Sequence, residues 1–237
     1  MENHDSLESR LAKVQKVIDS PPAVHPGAPV GVWSTERSCY DFMANHVRQG
    51  SHTLETGAGL STVLFAAWGC DHLAVVPYPS EATAIAAYCA ENDIYADSLT
   101  FDLRPSEVAL PDRADSGELD LVFIDGCHGF PLPIIDWFYG AGRLRKNGVV
   151  VFDDVQLPQV ALLIETFLEP DDRWQELVTT SKWRAYRRMS ERLLGEEWYD
   201  QPFFPVRKVK LGNRAIRALT DAVPLNVRKK LASVRSL

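Results

Sequence analysis

Past Thr53 the chain alternates short apolar runs with longer stretches of helical period. Thr53–Glu55, His72–Val76, Leu99–Leu103, Leu119–Asp125 and Val149–Asp153 read as buried strands. Leu60–Trp68, Ser80–Asn92, Leu132–Leu144 and Leu157–Leu168 read as helices between them, and Ser106–Leu110 as a short one. Gly69 stops the first of these, as glycine does past a helix end. Strands that alternate with helices predict an α/β fold with a mostly parallel, doubly wound sheet. Residues 174–189, WQELVTTSKWRAYRRM, break the alternation. Two β-rich runs flank Thr180-Ser181, which predicts a terminal hairpin whose last strand is antiparallel.

Upstream, Leu7, Leu11, Val14 and Ile18 form a narrow stripe that predicts a helix over residues 5–19. The stripe packs on the body or on a second copy, as in a homodimer. Pro21, Pro22, Pro26 and Pro29 with Gly27 and Gly31 make 20–32 a loop. Thr35–Val47 reads as a helix capped by Ser34 or Thr35. The expected organisation is an N-terminal helix and linker (1–34), one α/β domain (35–190) and a C-terminal extension (191–237).

With 237 residues, 46% hydrophobic and 24% charged, the chain can bury a full core as one ordinary globular domain. No apolar run approaches the roughly 18 residues of a membrane span. The start, MENHDSLESR, is polar and acidic, unlike a secretory signal. Cys39, Cys70, Cys89 and Cys127 show no CxxC spacing, so free thiols in a reducing cytoplasm are expected. Net charge is −7, but residues 206–237 carry +8 and the rest −15. Within that tail Asn213–Val223 reads as a basic amphipathic helix, after an aromatic cluster at Trp198, Tyr199, Phe203 and Phe204. A basic tail docks on the acidic body or on an anionic membrane surface. The acidity of the body argues against nucleic acid.

The run His52–Thr62 ends a strand, places Glu55, turns through Gly57-Ala58-Gly59 and opens a helix. Glycine lets a ligand lie against bare backbone, and the helix start presents free N–H groups. A nucleotide-like cofactor is the natural occupant. A dinucleotide site wants a third glycine where Thr62 stands, and an acid about 20 residues on. Here Val75-Val76-Pro77-Tyr78-Pro79 has none before Glu81, which disfavours NAD.

Asp120–His128 delivers Asp125 from an apolar strand, followed by Gly126 and His128. Leu144–Asp154 delivers Asp153 and Asp154 from the next. Acids gathered at neighbouring strand ends repel unless a cation or proton intervenes, and oxygen ligands suit Mg²⁺. Each residue also has a plainer role. Asp153 or Asp154 could cap the following helix, Asp125 could touch cofactor alone, and His128 could be an ordinary loop histidine. Cys127 has no second cysteine nearby with which to hold a soft metal.

Glu55 two residues before Gly57, with the I-D-G-x-H run and the later F-D-D, resembles the class I S-adenosylmethionine (SAM) methyltransferases. The likeness is to bacterial and cation-dependent O-methyltransferases and covers about residues 35–190. It implies a Rossmann-like seven-stranded sheet of order 3-2-1-4-5-7-6. It assigns Glu55, Thr56, Gly57, Ala58, Gly59, Ser61 and Thr62 to SAM, with Asp125. It assigns Asp125, Asp153 and Asp154 to Mg²⁺, and Asp125 with His128 to catalysis, His128 as general base. The family's acid after the second strand is replaced by Pro77-Tyr78-Pro79, so Tyr78 stacks on adenine or bonds the ribose, or Glu81 reaches back. After the third strand stands Arg104-Pro105-Ser106-Glu107, where Ser106 supplies an oxygen or a backbone contact. The acceptor implied is a small polyol, a sugar or a glycosylated metabolite. The competing reading is a catalytically impaired relative that binds a partner or membrane through its basic tail.

Overall fold

A computed structural model describes residues 6–191; residues 1–5 and 192–237, including the basic helix and aromatic cluster expected there, lie outside the described residues. The strands are β1 (His52–Thr56), β2 (Asp71–Val75), β3 (Leu99–Asp102), β4 (Leu119–Ile124), β5 (Leu144–Phe152), β6 (Trp174–Thr179) and β7 (Arg184–Arg188). They form one sheet in the order β3-β2-β1-β4-β5-β7-β6, as expected. β1 through β5 pair in parallel, and β7 runs antiparallel to both β5 and β6. The helices are α1 (Leu7–Asp19), α2 (Arg37–His46), α3 (Leu60–Ala67), α4 (Pro79–Glu91), α5 (Ser106–Ala109), α6 (Leu132–Asp136) and α7 (Pro158–Leu163).

Side chains of a strand point alternately to its two faces, and the core divides accordingly. Leu121 and Phe123 of β4, with Val149 and Val151 of β5, join the cluster beneath α1 to α4. Val122 and Ile124, with Val150 and Phe152, join the one beneath α6 and α7. A sheet buried on both faces needs near-continuous apolar strands, which explains the runs read from the sequence.

The expected helix over 132–144 is shorter and less regular. α6 gives way to a π-helical turn at Trp137–Ala141, and Leu144 already begins β5. Asn147 takes φ +68° beside Gly148, and the β4–β5 register shifts between Leu119 and Leu121. α7 likewise passes into a π-helical turn at Ile164–Leu168. The expected cap of α2 is also different. Glu36 precedes that helix without a side-chain cap, and the Thr35 hydroxyl is used elsewhere.

α1 spends its apolar face within its own chain. Val14 and Val17 are buried, Arg10 Nε donates to the Ala44 carbonyl at 2.8 Å, and Trp68 Nε1 donates to the Arg10 carbonyl at 3.2 Å. Of the expected stripe, Val14 is buried and Leu11 and Ile18 pack partly on the body, while Leu7 is exposed. Among the described residues no helix is long and apolar enough to cross a membrane.

Candidate active site

The carboxyl ends of β1, β2, β4 and β5 open onto a cleft of about 850 Å³. At one side the chain leaves β1 through Gly57, whose φ is +88°. A Cβ there would lie 2.5 Å from the Asp125 carbonyl, and one on Gly126 3.2 Å from the Gly57 nitrogen. The tips of β1 and β4 therefore pack backbone to backbone, and both glycines are required by that approach. Gly59 is extended rather than left-handed and enters α3, with its N–H donating to Thr62 Oγ1 at 2.8 Å. Asp125, His128, Asp153 and Asp154 line the same cleft. His128 Nε2 lies 3.3 Å from Asp154 Oδ2 and 3.7 Å from Asp125 Oδ1.

Known proteins converge on this architecture. The family model described as a methyltransferase domain matches residues 54–155, the segment that builds the turn and both strand tips. Over that segment the chain is similar to methyltransferase domains. No curated protein matches it in sequence. Among solved structures it is similar to a candidate O-methyltransferase from Klebsiella pneumoniae, at 16% identity and a TM-score of 0.57 over 78% of this chain and 90% of that one. It is similar to the O-methyltransferase TomG from Streptomyces achromogenes, solved with SAM, at 18% identity and 0.54 over 78% and 91%. A methyltransferase from Podospora anserina, solved with SAH, gives 16% identity and 0.52 over 78% and 88%.

Thr56, Gly57, Ala58, Gly59, Ser61, Tyr78 and Ser106 all line the cleft. Glu55 and Thr62 do not. Strand alternation turns Glu55 under α3, where it is 1% exposed, accepts from the Thr62 hydroxyl and lies 3.1 Å from His72 Nε2. His72 is itself held by Thr53 Oγ1 at 2.8 Å and stacks on Phe65. Glu55 and Thr62 thus brace the turn from below and do not border the cleft, where direct contact with cofactor was expected. The cleft suits SAM on two grounds. The turn is bare of side chains at Gly57 and Gly59, and Thr56, whose hydroxyl lies beside Asp136, borders the same cleft.

The side of the cleft beyond β2 holds Tyr78 and Glu81, the residues named for it in the sequence, together with His25, which was not. Glu81 of α4 lines the cleft beside Tyr78 and pairs with His25 Nε2 at 3.7 Å. Burial raises the Glu81 carboxyl, and His25 works against the rise. His25 Nδ1 also accepts the Trp33 N–H at 3.0 Å, so the 20–34 loop borders the cleft. Asp102, at the end of β3, is turned away. Arg104 and Arg113 bind both its oxygens and hold it down at about 2.

The expected metal set is rearranged. Asp153 is 2% exposed, its Oδ1 accepting the Thr35 hydroxyl at 2.6 Å and its Oδ2 lying 3.2 Å from Lys182 Nζ. Both its oxygens are engaged, so Asp153 does not join a metal site. Asp125, His128 and Asp154 do bring ligand atoms within 4.8 Å of one another. Yet Asp154 Oδ1 is held by Lys182, and an imidazole with the Asp125 carboxylate and one edge of Asp154, beside an ammonium, does not match the all-oxygen set that Mg²⁺ takes. Neither acid caps α7, which Leu157 precedes with no side-chain cap.

These contacts set the charges. Burial disfavours imidazolium at His128, but Asp125, Asp154 and Asp153 outweigh it and raise the ring's affinity for a proton. Burial raises Asp125, against the pull of His128. Burial also raises Asp154, but Lys182 overrides it and keeps that carboxyl low. Lys182 and His25 were missed in the sequence because each reaches its partner across a long stretch of chain. Asp136 was missed as well: it sits buried in α6 facing Ser106 and Thr56, and burial raises it to about 6.

Proposed function

We propose that the protein is an O-methyltransferase that methylates a hydroxyl of a small, ring-bearing acceptor. The observation that carries this reading is the single cleft that both the Gly57–Gly59 turn and His128 line. SAM supplies a methyl group already activated on a sulfonium. The turn and the Thr56 hydroxyl hold its amino-acid end, and Glu81 with Tyr78 anchors the ribose and adenine in place of the acid absent after β2. Trp33 and Tyr78, 62% and 61% exposed at the cleft, offer flat faces to a ring. Such faces accept either a sugar or an aromatic ring. The part TomG plays in tomaymycin synthesis supports a small secondary metabolite as acceptor.

His128 supplies the base. With its Nε2 proton directed at Asp154, Nδ1 is the basic nitrogen. It takes the hydroxyl proton as the acceptor oxygen attacks the methyl carbon in line. The oxygen gains the methyl, the sulfur leaves neutral with the bonding pair, and His128 leaves as imidazolium. The neighbouring carboxylates stabilise that cation. Positioning of the two reactants contributes most of the remaining rate.

Calorimetric titration of SAM and SAH tests the reading. Micromolar binding that falls about tenfold in E81Q, the cost of one good hydrogen bond to a charged group, supports it. No binding at millimolar SAM would refute it in favour of an impaired, binding-only relative.

A further inference from the structure

Three carboxylates meet at the tips of β4 and β5, and the cation among them is part of the chain. Lys182 lies in the turn between β6 and β7 and lines the same cleft. Its Nζ stands 3.2 Å from Asp153 Oδ2 and is hydrogen-bonded to Asp154 Oδ1. The turn that carries it is fixed on both sides. Thr180 Oγ1 accepts the N–H groups of Lys182 at 3.1 Å and Trp183 at 2.8 Å. The Lys182 carbonyl accepts from the Val155 N–H at 3.0 Å, and the buried Trp183 ring donates to Ser38 Oγ at 3.0 Å. Asp154 itself takes φ +53°, a conformation an aspartate adopts at some cost. That backbone aims one oxygen at Lys182 and the other at His128.

We propose that the Lys182 ammonium is a resident cation, standing where a divalent metal would otherwise bridge the β4 and β5 carboxylates. On the reading of this cleft as a methyltransferase site, transfer then needs no metal. The ammonium neutralises Asp153 and one edge of Asp154, and so leaves a single oriented carboxylate edge for His128. It also repels a second cation from Asp125, His128 and Asp154, whose ligand atoms are otherwise close enough to chelate one. A lysine charge is compact and cannot be lost to chelators. Its removal would leave three carboxylates and an imidazole with no internal counter-charge, which is a set that recruits a transition metal.

The test is a calorimetric titration of Mn²⁺ and Mg²⁺ into the metal-stripped full chain, as wild type, K182R and K182M. Wild type and K182R are expected to bind neither ion below about millimolar concentration. K182M is expected to gain Mn²⁺ binding at least about tenfold tighter. Micromolar Mn²⁺ binding by wild type overturns the proposal, and so does a K182M protein that gains none. Thermal unfolding checks that K182M is folded, and the wild-type titration decides the matter if it is not. SAM titration with and without EDTA runs in parallel. Loss of SAM binding in both arms sinks the methyltransferase reading while the metal titration stands. Loss of SAM binding only with EDTA sinks the resident cation.

Discussion

Thr35 donates its hydroxyl to Asp153 Oδ1 at 2.6 Å, joining the segment before α2 to the tip of β5 across 118 residues. Both groups are buried, so water cannot replace the bond. T35V keeps the side-chain shape and removes the donor. It should destabilise the fold by about 2 kcal/mol, the cost of an unmet charged acceptor. Combined with K182M, which strips the other oxygen of Asp153, the losses should be non-additive. Denaturant melts of the two single variants and the double variant measure this; strict additivity would mean the two contacts are independent.

Gly57 and Gly27 share φ +88° but not surroundings. A Cβ on Gly27 meets nothing within 4 Å, whereas one on Gly57 meets the Asp125 carbonyl at 2.5 Å. G27A should lose only the backbone preference, about 1 kcal/mol. G57A should lose about 2 kcal/mol more, because β1 and β4 must part, and it should weaken SAM binding with it. Urea midpoints of the two variants supply the comparison. Equal losses would show that the close approach of the strand tips is not what demands glycine.

The sheet was legible because a strand buried on both faces must be apolar throughout, and Leu121–Ile124 and Val149–Phe152 are. Asp125, Asp153 and Asp154 were legible as strand tips for the same reason, being the acids that directly follow such runs. Which way a tip residue points was not legible. Glu55 reads as a cofactor ligand from its place before Gly57, yet it shares a strand face with Thr53 and goes under α3 with His72. Lys182 carries no local signal at all. It arrives beside Asp154 only because β7 turns back antiparallel along β5, a pairing 28 residues apart in sequence. Asn147 and Gly148 serve a bulge in β5, a strand that already begins at Leu144, so the helix expected over 132–144 was drawn too long.

The raised proton affinity of His128 has a kinetic consequence. A base must be neutral to accept a proton, so the acid limb of the rate profile should lie above the ordinary imidazole value of about 6.5. Asp154 is one of the charges responsible for the rise. D154N should move the limb to lower pH while kcat falls about tenfold or more, since the ring loses its orienting carboxylate. An NMR titration of the His128 ring should shift in the same direction. A limb that stays put in D154N would show that Asp154 does not act through His128.

Asp136 gives a stability prediction with a defined pH window. Its side chain is 1% exposed, and Oδ1 has no partner within the chain. Burial raises its carboxyl from 3.8 to about 6, against the pull of the Ser106 and Thr56 hydroxyls. A carboxyl raised on folding favours the folded state while it is protonated in both states. That contribution is present below the unfolded value and is lost as pH climbs through about 6. At pH 8 the folded protein therefore carries a buried charge at a cost of up to about 3 kcal/mol. D136N removes the charge and keeps an oxygen to accept from Ser106. It should match wild type near pH 4, exceed it at pH 8, and raise Tm there by several degrees. A gap between the two proteins that is the same at both pH values would mean that the Asp136 carboxyl titrates alike in the folded and unfolded chains, and that its burial costs nothing near neutrality.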